Sequence, residues 1–159
     1  MVLELSGTSL FTQTDVRETA VSEESSISLK GFCNLKLAGS FTSTSNTWTP
    51  ILFNSELSDD DNMHSLVVDT ERINIYEDGI YVIIFTATDD SGPSYTDVRC
   101  IKNATTIFQA ARFDSAPQNN SYTLVESLVT GDFIYWEIYA NGATASVTST
   151  SRFTVLKIK

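Results

Sequence analysis

Ile80-Tyr81-Val82-Ile83-Ile84-Phe85-Thr86-Ala87 is the stretch that decides the fold. It carries no charge, and its β-branched and aromatic side chains suit an extended chain better than a helix. Both alternate sets are apolar, with Tyr81, Ile83 and Phe85 on one side and Ile80, Val82 and Ile84 on the other. A strand facing water on one side would keep a polar set there, so this one is predicted to be central and covered from both sides. Glu77-Asp78-Gly79 in front of it reads as a tight turn, and Asp89-Asp90-Ser91-Gly92-Pro93 behind it as a loop.

Strand signals continue in both directions from this segment. Upstream, Cys33 to Leu37 alternates at period two, and Thr47 to Phe53 is a strand that Pro50 restricts to an edge or an end. The acidic run from Asn54 to His64 reads as a loop, followed by short strands at Leu66–Val68 and Arg72–Ile75. Downstream, Tyr95–Lys102 and Thr105–Ala110 form a hairpin about Asn103-Ala104, and the polar stretch Phe113–Asn120 reads as a loop. Tyr122–Val129 and the aromatic strand Phe133–Tyr139 flank Gly131-Asp132. Asn141-Gly142 is a strong turn signal, and Ala145–Thr150 and Phe153–Ile158 close the chain. Ten to twelve short strands with no helix pattern and no internal repeat predict an all-β antiparallel sandwich or jelly roll.

Composition agrees. Ser and Thr number 20 each among 159 residues, a supply suited to strands, turns and solvated faces. The chain is 42% hydrophobic, enough to fill one core without cross-links. Ten Lys and Arg against twenty Asp and Glu give a net charge of −10, which repels nucleic acid and anionic membranes. No apolar run approaches the ~18 residues of a membrane span, and the first residues do not read as a secretory signal. Residues 1–26 are polar and acidic without a period and are expected to be an N-terminal arm or lead-in, leaving a domain over 27–159. Cys33 and Cys100 are expected to be two free thiols filling core positions, with a disulfide as the alternative in an oxidising compartment. Sequons stand at Asn103-Ala104-Thr105 and Asn119-Asn120-Ser121.

Five elements in order resemble the C1q/TNF-like jelly-roll family: Trp48-Thr-x-Ile-Leu-Phe-Asn54, Gly79-Ile-Tyr-Val-Ile-Ile-Phe85, Val98 to Asn103, Leu128-x-x-Gly-Asp132, and Phe153-x-Val-Leu156. Together they span roughly residues 40–159. Two departures stand out: the aromatic of the Gly-x-Tyr element is displaced to Phe85, and Arg152-Phe153-Thr154 replaces the family's C-terminal Phe-x-Gly. The resemblance implies a jelly-roll sandwich of about ten strands, three copies about a threefold axis, and apolar strand faces buried along that axis. Tyr81, Ile83 and Phe85 on one strand, and Phe133, Tyr135 and Tyr139 on another, are the candidates for that trimer interface. The alternative is that these residues face the interior of one sandwich; both can hold at once, with Ile80, Val82 and Ile84 filling the core while the opposite face meets neighbours.

Little in the sequence carries catalysis. His64 is the sole histidine, it lies in an acidic loop, and no Gly-x-Ser-x-Gly elbow accompanies it. No Gly-rich phosphate loop occurs, and nothing singles out a carboxylate pair for glycoside cleavage. Calcium is the one metal worth considering, on the oxygen-rich Asp59, Asp60 and Asp61, although they lack the D-x-D-x-D-G spacing; no other cofactor is expected. The expected role is a non-enzymatic virion structural protein: a homotrimeric capsid decoration or cement protein whose arm docks onto capsid or other virion proteins. A phage tail-fibre or receptor-binding tip is the first alternative. A secreted C1q/TNF-like ligand or glycan-binding module is the second.

Overall fold

The computed structural model describes residues 30–89, 96–113, 118–142 and 144–159. The expected arm over 1–26 and most of the loop after Asp89 lie outside the described residues. Twelve strands follow in order: β1 Phe32–Lys36, β2 Phe41–Thr42, β3 Thr49–Pro50, β4 Ser55–Asp59, β5 Arg72–Asn74, β6 Gly79–Asp89, β7 Thr96–Lys102, β8 Thr105–Phe113, β9 Gln118–Leu128, β10 Phe133–Ala140, β11 Ser146–Val147 and β12 Arg152–Lys157. Among the described residues there is no helix.

The strands form two antiparallel sheets. A seven-stranded sheet runs β2-β11-β6-β12-β1-β4, with β9 also paired to β6. A five-stranded sheet runs β3-β10-β7-β8, with β5 also on β10. The decisive segment is therefore central, as expected, with β12 on one side and the full length of β9 on the other.

Its facing is the interior alternative. Tyr81, Ile83, Phe85 and Ala87 point into the sandwich and are essentially inaccessible. They pack with Cys33, Leu35, Phe153 and Val155 of their own sheet and with Val98, Cys100, Ile134, Trp136 and Ile138 of the other. Tyr81, Ile83 and Phe85 are thus core residues, not interface residues, while Ile80, Val82 and Ile84 lie on the half-buried outer face. With both sets apolar, periodicity does not choose between faces; the pairing of β6 with β9 and β12 does.

Aromatic rings dominate the centre of the core. Phe85 stacks on Trp136 at 4.7 Å, and Phe53 meets Phe153 at 5.4 Å. Phe108 and Tyr122 extend the cluster towards the β8 and β9 side, where they are only half-buried. Offset and tilted arrangements of this kind add to the energy of area burial.

Three loop and strand readings change. Ser55–Asp59, expected within a loop, is edge strand β4, paired with β1 across a register shift at Asn34/Leu35. It is polar because an edge strand needs only one neighbour, and charge on the free side discourages further pairing. Gln118–Asn120, also expected as loop, belongs to β9, where Asn119 and Asn120 pair with Thr88 and Ala87 of β6. Leu66–Val68, expected as a strand, is a bend with no strand partner.

The turns follow their chemistry. Asn103 and Ala104 both take positive φ, 49° and 65°, the conformation a two-residue hairpin loop demands. Gly79 cannot carry a side chain, because a Cβ there would strike the Lys159 carbonyl oxygen.

Candidate interaction surface

The outer face of the seven-stranded sheet is built by register. Val125 of β9 lies opposite Val82 of β6, Val82 opposite Leu156 of β12, and Leu156 opposite Phe32 of β1. Four apolar side chains therefore cross four strands in one row. Ile80 and Ile158, joined by the Ile158 amide on the Ile80 carbonyl at 2.8 Å, flank it on the same face. Val125 is 61% exposed and Ile158 55%, so among the described residues this end of the sheet is left open. The other end is polar. There Thr86 lies opposite Ser121 and Arg152, and Arg152 opposite Lys36.

The outer face of the five-stranded sheet carries Phe133, Tyr135, Glu137 and Tyr139 of β10, the opposite set to the buried Ile134, Trp136, Ile138 and Ala140. The sequence-predicted trio Phe133, Tyr135 and Tyr139 is therefore outward and half-buried. These rings already have partners from their own chain. Arg72 lies over Phe133 at 4.8 Å, and Phe133 stacks on Tyr135 at 6.3 Å. Trp48 packs on Tyr139 at 5.4 Å and carries Arg99 over its ring at 4.2 Å, while Arg99 pairs with Glu137 at 2.6 Å. Guanidinium groups on ring faces, with carboxylates at their other side, satisfy this surface internally.

At the β6 start, two sequence motifs meet in one knot. Asp132 is buried and accepts the Val129 amide at 2.9 Å, the Asn103 side-chain amide at 2.6 Å and Lys102 Nζ at 2.9 Å. Asn103 Oδ1 in turn accepts the Phe133 amide at 3.0 Å. Burial alone would push the Asp132 carboxyl up, but the Val129 amide, Lys102 and Asn103 outweigh it and hold it below the usual carboxylate range. The Lys102-Asn103 hairpin and the Leu128-to-Asp132 turn are thus halves of one structure. Sequence spacing placed them 30 residues apart with no sign of contact.

The acidic run does not assemble as a ligand set. Asp59 accepts the Met63 and His64 amides at 2.8 and 2.9 Å, Asp60 accepts the Ser58 hydroxyl at 3.1 Å, and Asp61 accepts the Gly31 amide. Among the described residues no three His, Cys, Asp or Glu side chains are grouped to hold a metal. His64 is buried with Nδ1 on Glu56 at 2.9 Å and Nε2 on the Thr70 carbonyl at 3.0 Å, so neither ring nitrogen faces a serine hydroxyl. A recess of about 250 Å³ beside Gly31, Asp61, Met63, Tyr76, Glu77 and Tyr81 falls below the usual size of a small-molecule site.

Both cysteines are free and buried, Cys33 in one sheet and Cys100 in the other. Burial pushes both thiols up, with the charges of Asp59, Glu56 and Asp60 adding to the effect at Cys33 and that of Glu126 at Cys100. They remain protonated core residues, as the sequence reading expected.

No family model matches the sequence, and no curated protein sequence resembles it. Solved structures do resemble the fold. The globular domain of zebrafish complement 1qA protein aligns with a TM-score of 0.61 at 19% identity, over 82% of this chain and 98% of that one. Murine APRIL aligns with a TM-score of 0.61 at 16% identity, over 80% of this chain and 98% of that one. This is the C1q/TNF-like jelly roll. The PRD1 vertex protein P5 shares it, with a TM-score of 0.61 at 13% identity, over 81% of this chain and 73% of that one. At these identities the likeness is one of fold. It agrees with the sequence resemblance, whose five motifs fall on or beside β3, β6, β7, the β9–β10 turn and β12.

Proposed function

We propose that this jelly roll is a non-enzymatic virion structural protein that works as a homotrimer, decorating or cementing a capsid. The carrying observation is the apolar row Val125–Val82–Leu156–Phe32, half-buried to exposed among the described residues, with Ile80 and Ile158 beside it. A contiguous apolar surface on a soluble chain of net charge −10 marks a place where another protein sits. A second copy of the chain supplies a fitting cover, because Phe108, Tyr122 and Leu124, which pack on the core at the β8 and β9 side, leave part of their apolar surface outside it. Contact between two unlike surfaces of identical subunits makes a ring where the rotation closes, and the resemblance favours three members.

The virion assignment is supported by the likeness to a vertex protein and by the free, dispersed thiols. The second reading, a secreted ligand, is favoured by the complement 1qA and APRIL likeness at the same TM-score. Against it, Cys33 and Cys100 are unpaired, and the sequon residue Asn103 has both ends of its side-chain amide engaged in the Asp132 knot.

Sedimentation of the purified chain at micromolar concentration tests the assembly, with a mass of three chains expected and a persistent monomer overturning it. Particles stripped of the protein and then reconstituted test the role. Gain in thermal resistance on re-addition supports decoration. Block of virus adsorption to host cells by the free protein supports a receptor-binding tip instead.

A further inference from the structure

Asn141-Gly142 follows β10, and the pair carries chemistry beyond its part in the turn. Asn141 is the only asparagine in the chain followed by glycine. A glycine has no Cβ to hold its nitrogen away from the side-chain carbonyl carbon of the residue before it. The turn itself demands that glycine. Gly142 takes a φ of 77°, which side chains resist, although among the described residues a Cβ there would meet nothing within 4 Å. Both residues are exposed, so water reaches them. The backbone thus imposes, at the surface, the neighbour that obstructs an asparagine least.

A second asparagine lies across this pair. Asn46 donates its backbone N–H to the Ala140 carbonyl at 2.7 Å, and its Oδ1 accepts the Gly142 amide at 2.9 Å. One residue therefore grips the chain on both sides of Asn141, from a backbone φ of 56°. The bridge between Ser45 and Ala140 fixes the same segment. The Oδ1 bond bears most directly on reactivity, because it engages the N–H that an attack on Asn141 must give up. An amide oxygen accepts that hydrogen without being basic enough to remove it, so the nitrogen is restrained and not activated.

We propose that Asn141 is a self-modifying site, converted through a cyclic imide to aspartate and isoaspartate, and that the Asn46 side chain restrains the conversion. The Gly142 nitrogen gives up its proton and bonds to Asn141 Cγ. The bond from Cγ to Nδ2 breaks, and Nδ2 takes the proton and leaves as ammonia. Water then opens the five-membered imide. Opening at Cγ gives aspartate on the original backbone; opening at the main-chain carbonyl gives isoaspartate, whose chain runs through Cγ. Either product replaces a neutral amide with a carboxylate, and neither needs an oxidant. Isoaspartate also adds a methylene to the main chain where β10 of one sheet leads towards β11 of the other, so the mark falls on a link between the layers.

The test ages the purified full chain in mildly alkaline buffer, digests it, and follows the amide-to-acid mass gain and the separate elution of the isoaspartyl peptide. Asn46→Gly keeps the backbone N–H and tolerates the positive φ while removing Oδ1. It is expected to speed conversion of Asn141 roughly fivefold, the worth of one exposed hydrogen bond. Val155→Ala is the control, since it loosens the core and leaves the turn contacts in place. It is expected to leave the Asn141 rate unchanged. A wild-type rate in Asn46→Gly overturns the restraint, and so does an equal acceleration in Val155→Ala, which would make opening of the whole fold the controlling step. Conversion at other asparagines while Asn141 stays intact in Asn46→Gly overturns the site. Should Asn46→Gly not fold, the wild type decides, because equal rates in native buffer and in denaturant also overturn the restraint.

Discussion

The two outward faces of the sandwich carry similar amounts of apolar material and dispose of it in opposite ways. On the five-stranded sheet, Phe133, Tyr135, Tyr139 and Trp48 are tiled by Arg72 and Arg99 from neighbouring strands and loops. On the seven-stranded sheet, the described neighbours of Val125, Val82, Leu156 and Phe32 along their row are one another. Aromatic faces attract cations and can be finished within one chain, whereas aliphatic side chains have no polar partner and are finished only by more apolar surface. Hydrophobicity alone therefore does not identify a contact surface; what matters is whether the chain has supplied its own cover.

That contrast is open to breakage. The largest effect is expected from Val82→Asp, which puts a charge in the middle of the aliphatic row, where a trimer would bury it unpaired. The fold should persist, since Val82 points out of the core, while trimers dissociate by at least about a hundredfold, read by sedimentation. A trimer unaffected by this change would remove the aliphatic row from the interface. Arg99→Ala comes next. It uncovers Trp48 and leaves Glu137, 8% exposed, without its partner, so a loss of about 2 kcal/mol in denaturant unfolding is expected with the oligomeric state unchanged. Dissociation by Arg99→Ala would place the interface on the wrong sheet here. The smallest effect belongs to Tyr135→Asp, at the half-buried surface of the tiled face. It should cost about 1 kcal/mol or less and leave the trimer intact.

Much of the architecture was legible because strand chemistry is local. The uncharged run at Ile80–Ala87, the aromatic run at Phe133–Tyr139 and the Asn103-Ala104 turn each announce themselves within a few residues. The outer apolar row was not legible in the same way. Choosing Tyr81, Ile83 and Phe85 over Ile80, Val82 and Ile84 needs the phase of a strand that is apolar on both sides, and only its neighbours fix that phase. Phe32 and Leu156 drew no notice as site residues because their row exists only across four strands. Polar β4 escaped detection for a related reason, since its place in the sheet comes from pairing with β1 and not from its own pattern. The tiling of Phe133 and Trp48 was equally invisible, because each guanidinium arrives from a distant part of the chain. Asp59, Asp60 and Asp61 were read together because they are adjacent; the backbone then turns each to a different partner.

The two sealed thiols give the molecule a pair of internal clocks. Cys33 sits in one layer and Cys100 in the other, both inaccessible and both protonated in the closed fold. A thiol reagent added to the native protein therefore reacts only when a layer parts, and the rate at each cysteine times the opening of its own sheet. Equal rates would mean that the sandwich breathes as one body. Unequal rates would show which layer lets go first.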